Sequence, residues 1–215
     1  IKKKRICEHL EIEQPVLFRD YFISFFGINK LGVNLCGKLY KKTLFDKAKL
    51  KPSGMKMGED LLVNMYLFPF VNKYVVTNHC VYYYRYGGLT SQFNSTLYSD
   101  LKKLYYIKMN MLVEYDYQKG VRSTKIEMCN VLCSHLIQMY RFNKSEQEIY
   151  LFIEEEKRSG FLDEIIDEVE YNTNSFLFLK NRDIDNLLQY CKEMAEKKKL
   201  LRTILRWVFP LLRFV

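Results

Sequence analysis

The apolar residues in the second half of the chain recur every three or four positions, which is the period of an α-helix with one buried face. One such stripe covers residues 101–115, and Gly120 is expected to end its helix. A second stripe covers residues 126–140, behind a predicted capping box that begins at Thr124. The pattern predicts a mainly helical domain over residues 96–196.

Two later helix starts have polar signals of their own. Ser145 and Glu148 have the spacing of a capping box, in which each side chain bonds to the backbone N–H of the other residue. A further helix is predicted over residues 183–199. Residues 183–185 have the sequence Asp-Ile-Asp, which matches an Asp-x-Asp metal motif, but no apolar strand precedes them. We therefore interpret them as a helix cap.

The first half of the chain has short apolar runs separated by turn residues. Residues 35–45 are predicted to be extended. A short helix is predicted to begin near Gly58 or Glu59 and to end near Pro69, because proline does not continue a helix. Residues 73–85 are rich in Val, Thr and Tyr and predict a strand that ends before Gly87. The change in pattern near residue 95 predicts a boundary there.

Composition and charge narrow the class of partner. The 215 residues include 17 Tyr and 15 Phe, so the chain can bury enough apolar surface to fold. The formal net charge of +9 predicts an anionic partner, and nucleic acid, anionic lipid and a sugar nucleotide all qualify. Nucleic acid is not expected, because the basic residues are scattered and no recognition motif is present.

The six cysteines do not have the paired spacing of a metal site. Cys129 and Cys133 lie on one apolar helix face, and we interpret them as small core residues. The basic residues that follow Ile1 do not lead into an apolar signal segment, so reduced thiols in a cytoplasmic setting are expected. Because the chain starts at Ile1 rather than at Met, it is expected to be a piece of a longer protein.

Residues 197–215 have the pattern of a basic amphipathic helix. The basic side chains fall in one sector of a helical wheel, and Leu, Trp, Phe and Val fill the rest. The apolar run is shorter than the ~20 residues that span a bilayer, so the helix is expected to lie on the inner face of the cytoplasmic membrane. The alternative is a terminal helix that docks on its own protein or on a second copy.

Three motifs that can perform chemistry follow one another between residues 36 and 91. They are a basic segment, an acidic pair at a helix start, and an aromatic strand that ends in arginine. Their sequences are Cys36-Gly37-Lys38-Leu39-Tyr40, Gly58-Glu59-Asp60-Leu61-Leu62 and Tyr82-Tyr83-Tyr84-Arg85-Tyr86-Gly87-Gly88-Leu89-Thr90-Ser91. In this order they resemble the second half of a bacterial family 2 glycosyltransferase, which moves a sugar from a nucleotide-sugar donor to an acceptor hydroxyl. The family's basic motif often reads Trp-Asn-Lys-Leu-Tyr, and its Trp is absent here.

The resemblance implies an A-type glycosyltransferase fold, of the α/β class. Residues 1–95 are then the C-terminal half of the nucleotide-sugar domain, with few strands, and residues 96–196 are the helical domain after it. The resemblance implies a divalent metal, Mg²⁺ or Mn²⁺, held by the missing first half of the enzyme, so this chain alone is expected to be inactive. The implied acceptor is a saccharide or a lipid-linked saccharide, and the implied role is surface polysaccharide or lipopolysaccharide synthesis.

Inverting sugar transfer needs a base that takes the proton of the acceptor hydroxyl. Asp60 is the candidate catalytic base, because the first turn of a helix favours an ionised carboxylate. The resemblance also places the family's usual base at this position. Its neighbour Glu59 is a candidate substrate-binding residue. The alternative is that both carboxylates only stabilise a helix start.

Transfer also needs positive charge near the departing nucleotide diphosphate. Arg85 can bind phosphate oxygens with two hydrogen bonds, and the resemblance places it at the rim of the active site. Lys38 is a second candidate cation that faces the donor or the acceptor. The loop after the arginine supplies further candidate substrate-binding residues, which are Tyr86, Gly87, Gly88, Thr90 and Ser91. The alternatives are a strand-end arginine with a glycine turn, and a solvated lysine.

A rival hypothesis is a non-enzymatic helical module that binds an anionic membrane or a partner protein. The net charge of +9 and the amphipathic segment at residues 197–215 favour it. An upstream segment with an alternating apolar strand and an Asp-x-Asp motif would favour the enzyme.

Overall fold

The computed structural model of the chain describes residues 10–12, 26, 33–50, 52–76 and 93–211. Within these residues the chain is mainly helical, and strand is limited to two segments of 3 residues each. Strand β1 (Leu10–Ile12) pairs antiparallel with β2 (Tyr74–Val76), so that Leu10 lies opposite Val76 and Ile12 opposite Tyr74.

Helices account for most of the described residues. In chain order they are α1 (Lys42–Ala48), α2 (Glu59–Leu67), α3 (Leu97–Glu114), α4 (Gln118–Arg141), α5 (Glu146–Arg158), α6 (Phe161–Ile166), α7 (Asn174–Lys180) and α8 (Ile184–Leu211). A short 3₁₀ helix, Phe68–Phe70, follows α2, and Val71 after it is extended. The helix predicted to begin near Gly58 or Glu59 and to end near Pro69 is confirmed.

The expected α/β fold of the A-type is wrong for the residues that the structure describes. An α/β nucleotide domain has a mostly parallel sheet covered by helices on both faces. The described sheet instead consists of two short antiparallel strands. Of the strand predicted over residues 73–85, Tyr74–Val76 is confirmed, and the remainder lies outside the described residues.

The extended segment predicted over residues 35–45 is also wrong, since α1 begins within it. Lys, Leu and Ala, which favour helix, outweigh the β-branched Thr43 within α1. Lys49 ends the helix in the left-handed conformation with φ 47°, and its N–H donates to the carbonyl of Phe45 at 3.2 Å.

The chain divides into two compact units, residues 1–124 and residues 125–215. In the first unit, apolar side chains of α2 and α3 meet in one core. Its buried members include Phe26, Leu61, Leu62, Met65, Leu67, Phe68, Leu104, Met111 and Leu112. Each such side chain contributes roughly 1.5–3 kcal/mol when it leaves water, so this core holds the start of α2 in place.

The turn predicted at Gly120 is wrong. α3 ends earlier, at Glu114, and Asp116 with φ 52° reverses the chain. Gly120 lies inside α4, where an added Cβ atom would collide with the side chain of Leu112 and lie 3.2 Å from Cβ of Phe26. Close packing, and not a helix end, requires glycine here.

In the second unit, two predicted helix starts are confirmed. The N–H of Glu148 donates to Oγ of Ser145 at 3.2 Å, and the N–H of Ser145 donates to Oε2 of Glu148 at 2.9 Å. Oδ1 of Asp183 accepts from the N–H of Asn186 at 3.2 Å, so this residue caps α8 as predicted. The capping box predicted at Thr124 is wrong, because Thr124 is buried in the middle of α4.

The core of the second unit is formed by one face of each of its helices. Cys129 and Cys133 are buried there as core residues, as predicted. Other buried members are Leu132, Leu136, Ile149, Ile153, Phe161, Ile165, Phe176, Leu179 and Leu187. Helices α6 and α7, with 6 and 7 residues, are too short for a helical period to appear in the sequence.

Candidate functional site

Glu59 and Asp60 form the first turn of α2, so their predicted place at a helix start is confirmed. Gly58 precedes them with φ 83°, a conformation that glycine adopts without strain. An added Cβ atom on Gly58 would lie 3.2 Å from Cδ2 of Leu104. The tight approach of this turn to α3 therefore fixes where α2 begins, and with it the position of the acidic pair.

Asp100 on α3 holds the loop that leads into α2. Its carboxylate is buried, and Oδ2 accepts hydrogen bonds from the backbone N–H groups of Lys56 at 3.0 Å and of Met57 at 3.2 Å. Hydrogen bonds to an ionised acceptor are stronger than those between neutral groups. These two hydrogen bonds therefore hold the start of α2 against α3, in addition to apolar packing.

The carboxylate of Asp60 is half-buried and oriented by a backbone donor. Its Oδ2 accepts a hydrogen bond from the N–H of Leu35 at 3.2 Å. Leu35 lies only a few residues before Lys38 in the predicted basic motif. This bond therefore joins the first motif to the second, although they are far apart in the sequence.

The Lys38 side chain lies in the same neighbourhood. Burial lowers the pKa of Lys38, and the neighbouring Asp60 and Cys36 oppose this shift. The ammonium group donates to the backbone carbonyl of Asn34 and lies 3.5 Å from Oδ1 of the same residue. The charge of Asp60 therefore acts on Lys38, which links two predicted site residues electrostatically.

The sequence did not indicate a further member of this cluster, the buried Asn64, which makes hydrogen bonds to its neighbours. Nδ2 of Asn64 donates to the carbonyl of Val33 at 2.9 Å and to that of Asp60 at 2.8 Å. The hydroxyl of Tyr40 donates to Oδ1 of Asn64 at 2.6 Å. Burial raises the pKa of the Tyr40 hydroxyl, and the charges of Tyr74 and Asp60 add to this shift. The spacing of four between Asp60 and Asn64 was the available signal, since it places both on one helix face.

The remaining predicted site residues are not brought into this cluster by the described structure. Glu59 is exposed in the first turn of α2. Arg85 and the loop candidates lie outside the described residues, and their assigned roles stay predictions. The loop candidates are Tyr86, Gly87, Gly88, Thr90 and Ser91.

Among the described residues, no three His, Cys, Asp or Glu side chains come together. The resemblance places the Mg²⁺ or Mn²⁺ in the missing first half of the enzyme, so that expectation stays a prediction. Among the described helices, none has the length and apolarity that crossing a membrane requires.

Comparisons with protein-family models, with curated proteins and with solved structures found no match. The resemblance to family 2 glycosyltransferases therefore rests on the three motifs themselves.

Proposed function

We propose that this chain is part of a glycosyltransferase and that Asp60 is its base. The observation that supports the proposal is the hydrogen bond from the N–H of Leu35 to Oδ2 of Asp60, which links the candidate base to the segment just before Lys38. The charge of Asp60 also acts on Lys38. The proposal concerns the reaction and these residues, and it assigns no A-type sheet to the chain.

In the proposed reaction, the acceptor hydroxyl oxygen attacks the anomeric carbon of the donor sugar. The new bond joins this oxygen to the anomeric carbon, and the bond from that carbon to the diphosphate oxygen breaks. The proton of the hydroxyl moves to a carboxylate oxygen of Asp60, and the bonding electron pair leaves with the nucleotide diphosphate. A half-buried carboxylate held by a backbone N–H is suited to this role, because its orientation is set before the acceptor binds.

Charge on the departing diphosphate needs a cationic partner. We assign this role to Arg85, with Lys38 as a second cation that faces the acceptor side. The negative charge of Asp60 favours the ammonium form of Lys38, in opposition to burial. The remaining donor contacts are assigned to a preceding part of the enzyme, including any divalent metal.

The test is made in the longer protein that contains this chain. Asp60→Asn keeps the size and the Leu35 contact of the side chain but removes the base. We expect at least about a hundredfold loss of kcat, in line with general-base catalysis, and an unchanged Kd for the donor nucleotide. Nucleotide diphosphate release measures the first quantity, and calorimetric titration measures the second.

Asp46→Asn is the matched control, because it makes the same change at an exposed carboxylate of α1 that has no assigned role in binding or catalysis. Its kcat is expected to remain within about threefold of the unsubstituted enzyme, since a surface change of this kind is worth about 0.5 kcal/mol or less. Full turnover in Asp60→Asn would remove Asp60 from the role of base.

A second candidate function, binding to an anionic membrane through α8, is favoured by a separate observation. Residues 196–201 are all exposed, and Leu200 and Leu201 are 61% and 57% exposed. Lysines 197–199 lie next to these leucines in the same helix. Exposed leucines beside basic residues are typical of a helix that lies at a membrane surface. The two functions are compatible, since an enzyme with a lipid-linked acceptor works at a membrane.

A further inference from the structure

A cavity of about 510 Å³ lies in the first unit, between the end of α1, the loop at residues 52–55, α2 and α3. This volume is within the range of small-molecule binding sites. At roughly 100° per residue, Leu62 and Tyr66 on its wall face away from Asp60 on α2. The cavity is therefore separate from the proposed catalytic cluster.

The floor of the cavity is apolar. Met55 and Leu62 are buried, and Ile107 is half-buried. The wall also includes Tyr66 and Tyr106, and 37% and 43% of the surface of these residues is exposed. Apolar walls with partly exposed aromatic rings suit an alkyl chain or another narrow apolar group.

The lining of the cavity also includes two lysines. Lys49 and Lys103 are both exposed and belong to its lining. Among the described lining residues there is no carboxylate to neutralise them. The backbone of Lys49 is fixed at the end of α1, because its N–H donates to the carbonyl of Phe45 at 3.2 Å. Two ammonium groups on separate elements can bind the oxygens of one phosphate monoester.

We propose that this cavity binds a phosphate monoester with a single apolar chain, such as a lipid monophosphate. The chain lies on the floor formed by Met55, Leu62 and Ile107, and the phosphate lies between Lys49 and Lys103. A nucleotide fits this lining less well, because its base and ribose need hydrogen-bonding partners that an apolar floor does not provide. The proposal stands whether or not Asp60 is a catalytic base.

Calorimetric titration with octyl phosphate, below the concentration at which it forms micelles, tests the proposal. The double variant Lys49→Gln/Lys103→Gln is expected to bind at least about tenfold more weakly, because each lysine loses a charge-assisted contact. Lys42→Gln/Lys119→Gln is the matched control, since both lysines are exposed, belong to the same unit and are outside the cavity lining. Its affinity is expected to be unchanged.

Two further ligands separate the contributions of the chain and the phosphate. Octanol and inorganic phosphate are each expected to bind at least about tenfold more weakly than octyl phosphate. Methyl NMR signals of Met55 and Ile107 are expected to shift on addition of octyl phosphate, which locates the ligand in the cavity. Equal affinity for octanol, equal affinity for inorganic phosphate, or full affinity in the cavity double variant would each overturn the proposal.

Vesicles of phosphatidylcholine with and without phosphatidic acid distinguish a membrane lipid from a free amphiphile. If the ligand is a lipid headgroup, the cavity double variant binds the phosphatidic acid vesicles more weakly than the control double variant does. If both variants bind these vesicles equally while their octyl phosphate affinities differ, the ligand is a free phosphate amphiphile.

Discussion

Asn64 shows how one buried side chain can hold a candidate functional cluster together. It accepts a hydrogen bond from Tyr40 and donates to carbonyl groups of Val33 and Asp60, and its own surface is fully buried. A buried polar group is costly unless it is paired, and a paired group makes each of its partners dependent on it. The position of Asp60 therefore depends on a residue that takes no part in the proposed reaction.

Asn64→Ala is expected to lower the free energy of unfolding by about 2–3 kcal/mol, because it leaves the Tyr40 hydroxyl and the Val33 carbonyl without their partner. Urea-induced unfolding, followed by circular dichroism, measures the change. Tyr40→Phe removes only one of these bonds and is expected to cost about 1 kcal/mol.

The control for this prediction is Asn110→Ala, at an exposed position in the middle of α3. Alanine favours helix more than asparagine does, so this variant is expected to be neutral or slightly more stable. If Asn64→Ala and Asn110→Ala unfold at the same urea concentration, the buried network does not contribute as described.

The sequence could predict Asp60 at a helix start because the signals for that start are local. The supporting contacts are not local, which is why they were missed. Asn64 reaches a carbonyl 31 residues earlier, and Asp100 binds N–H groups 43 and 44 residues earlier. No spacing rule within one element identifies such pairs, since tertiary packing brings Val33 to α2 and the loop before α2 to α3.

The start of α2 depends on Gly58 for two separate reasons, one conformational and one steric. A left-handed backbone costs a residue with a Cβ atom about 1–2 kcal/mol. The added Cβ atom would also lie 3.2 Å from Cδ2 of Leu104, which is buried in the core. Gly58→Ala is therefore expected to destabilise the protein by about 2 kcal/mol or more, as measured by urea-induced unfolding.

Gly54→Ala isolates the conformational part of this effect. Gly54 also has a positive φ of 67°, but no atom lies within 4 Å of an added Cβ. Its cost is expected to be smaller, at about 1 kcal/mol. Equal destabilisation by both substitutions would mean that contact with Leu104 plays no part in fixing the start of α2.

Glycines also show why some element boundaries were predicted correctly and others were not. Gly58 was recognised near a helix start because an acidic pair and an apolar run follow it in sequence. Gly120 was misread as a helix end, since nothing local indicates that Leu112 and Phe26 press against it. The capping box at Ser145 was predicted correctly, whereas the same local spacing at Thr124 lies inside α4, where no helix begins.

At the scale of the whole molecule, the order of motifs did not predict the architecture of the described residues. The chemistry that the motifs imply stays a prediction, to which the described structure adds the bond from Leu35 to Asp60 and the charge interaction of Asp60 with Lys38. The α/β sheet that the resemblance implied is not found in the described residues, where strand is confined to β1 and β2. Motif residues constrain a site locally, whereas a sheet depends on long-range strand pairing that these motifs do not specify.

The exposure of α8 changes near Glu196. Leu187, Cys191 and Ala195 are buried in the core, whereas residues 196–201 are all exposed. Truncation after Glu196 therefore keeps these three buried residues and removes the exposed residues 197–201 together with the rest of the chain. The membrane hypothesis can be tested with this truncation.

Truncation after Glu196 is expected to abolish binding to phosphatidylglycerol vesicles, as measured by co-sedimentation, while leaving the melting temperature within a few degrees. Each basic residue near an anionic surface contributes about 1 kcal/mol. Lys197→Gln/Lys198→Gln is therefore expected to weaken binding by about 2 kcal/mol, roughly thirtyfold. High salt is expected to weaken binding by the intact chain, because it screens exposed charges.

Leu200→Ser/Leu201→Ser tests the apolar contribution at constant charge. Both leucines are exposed, so the substitution leaves the core intact, and each removes apolar surface that a bilayer would bury. A helix that lies in the membrane surface loses affinity in this variant even at high salt. If the variant binds vesicles as well as the intact chain does, α8 is held only by charge and does not insert. Equal binding by the truncated chain would instead show that this part of α8 is a protein contact and that another surface meets the lipid.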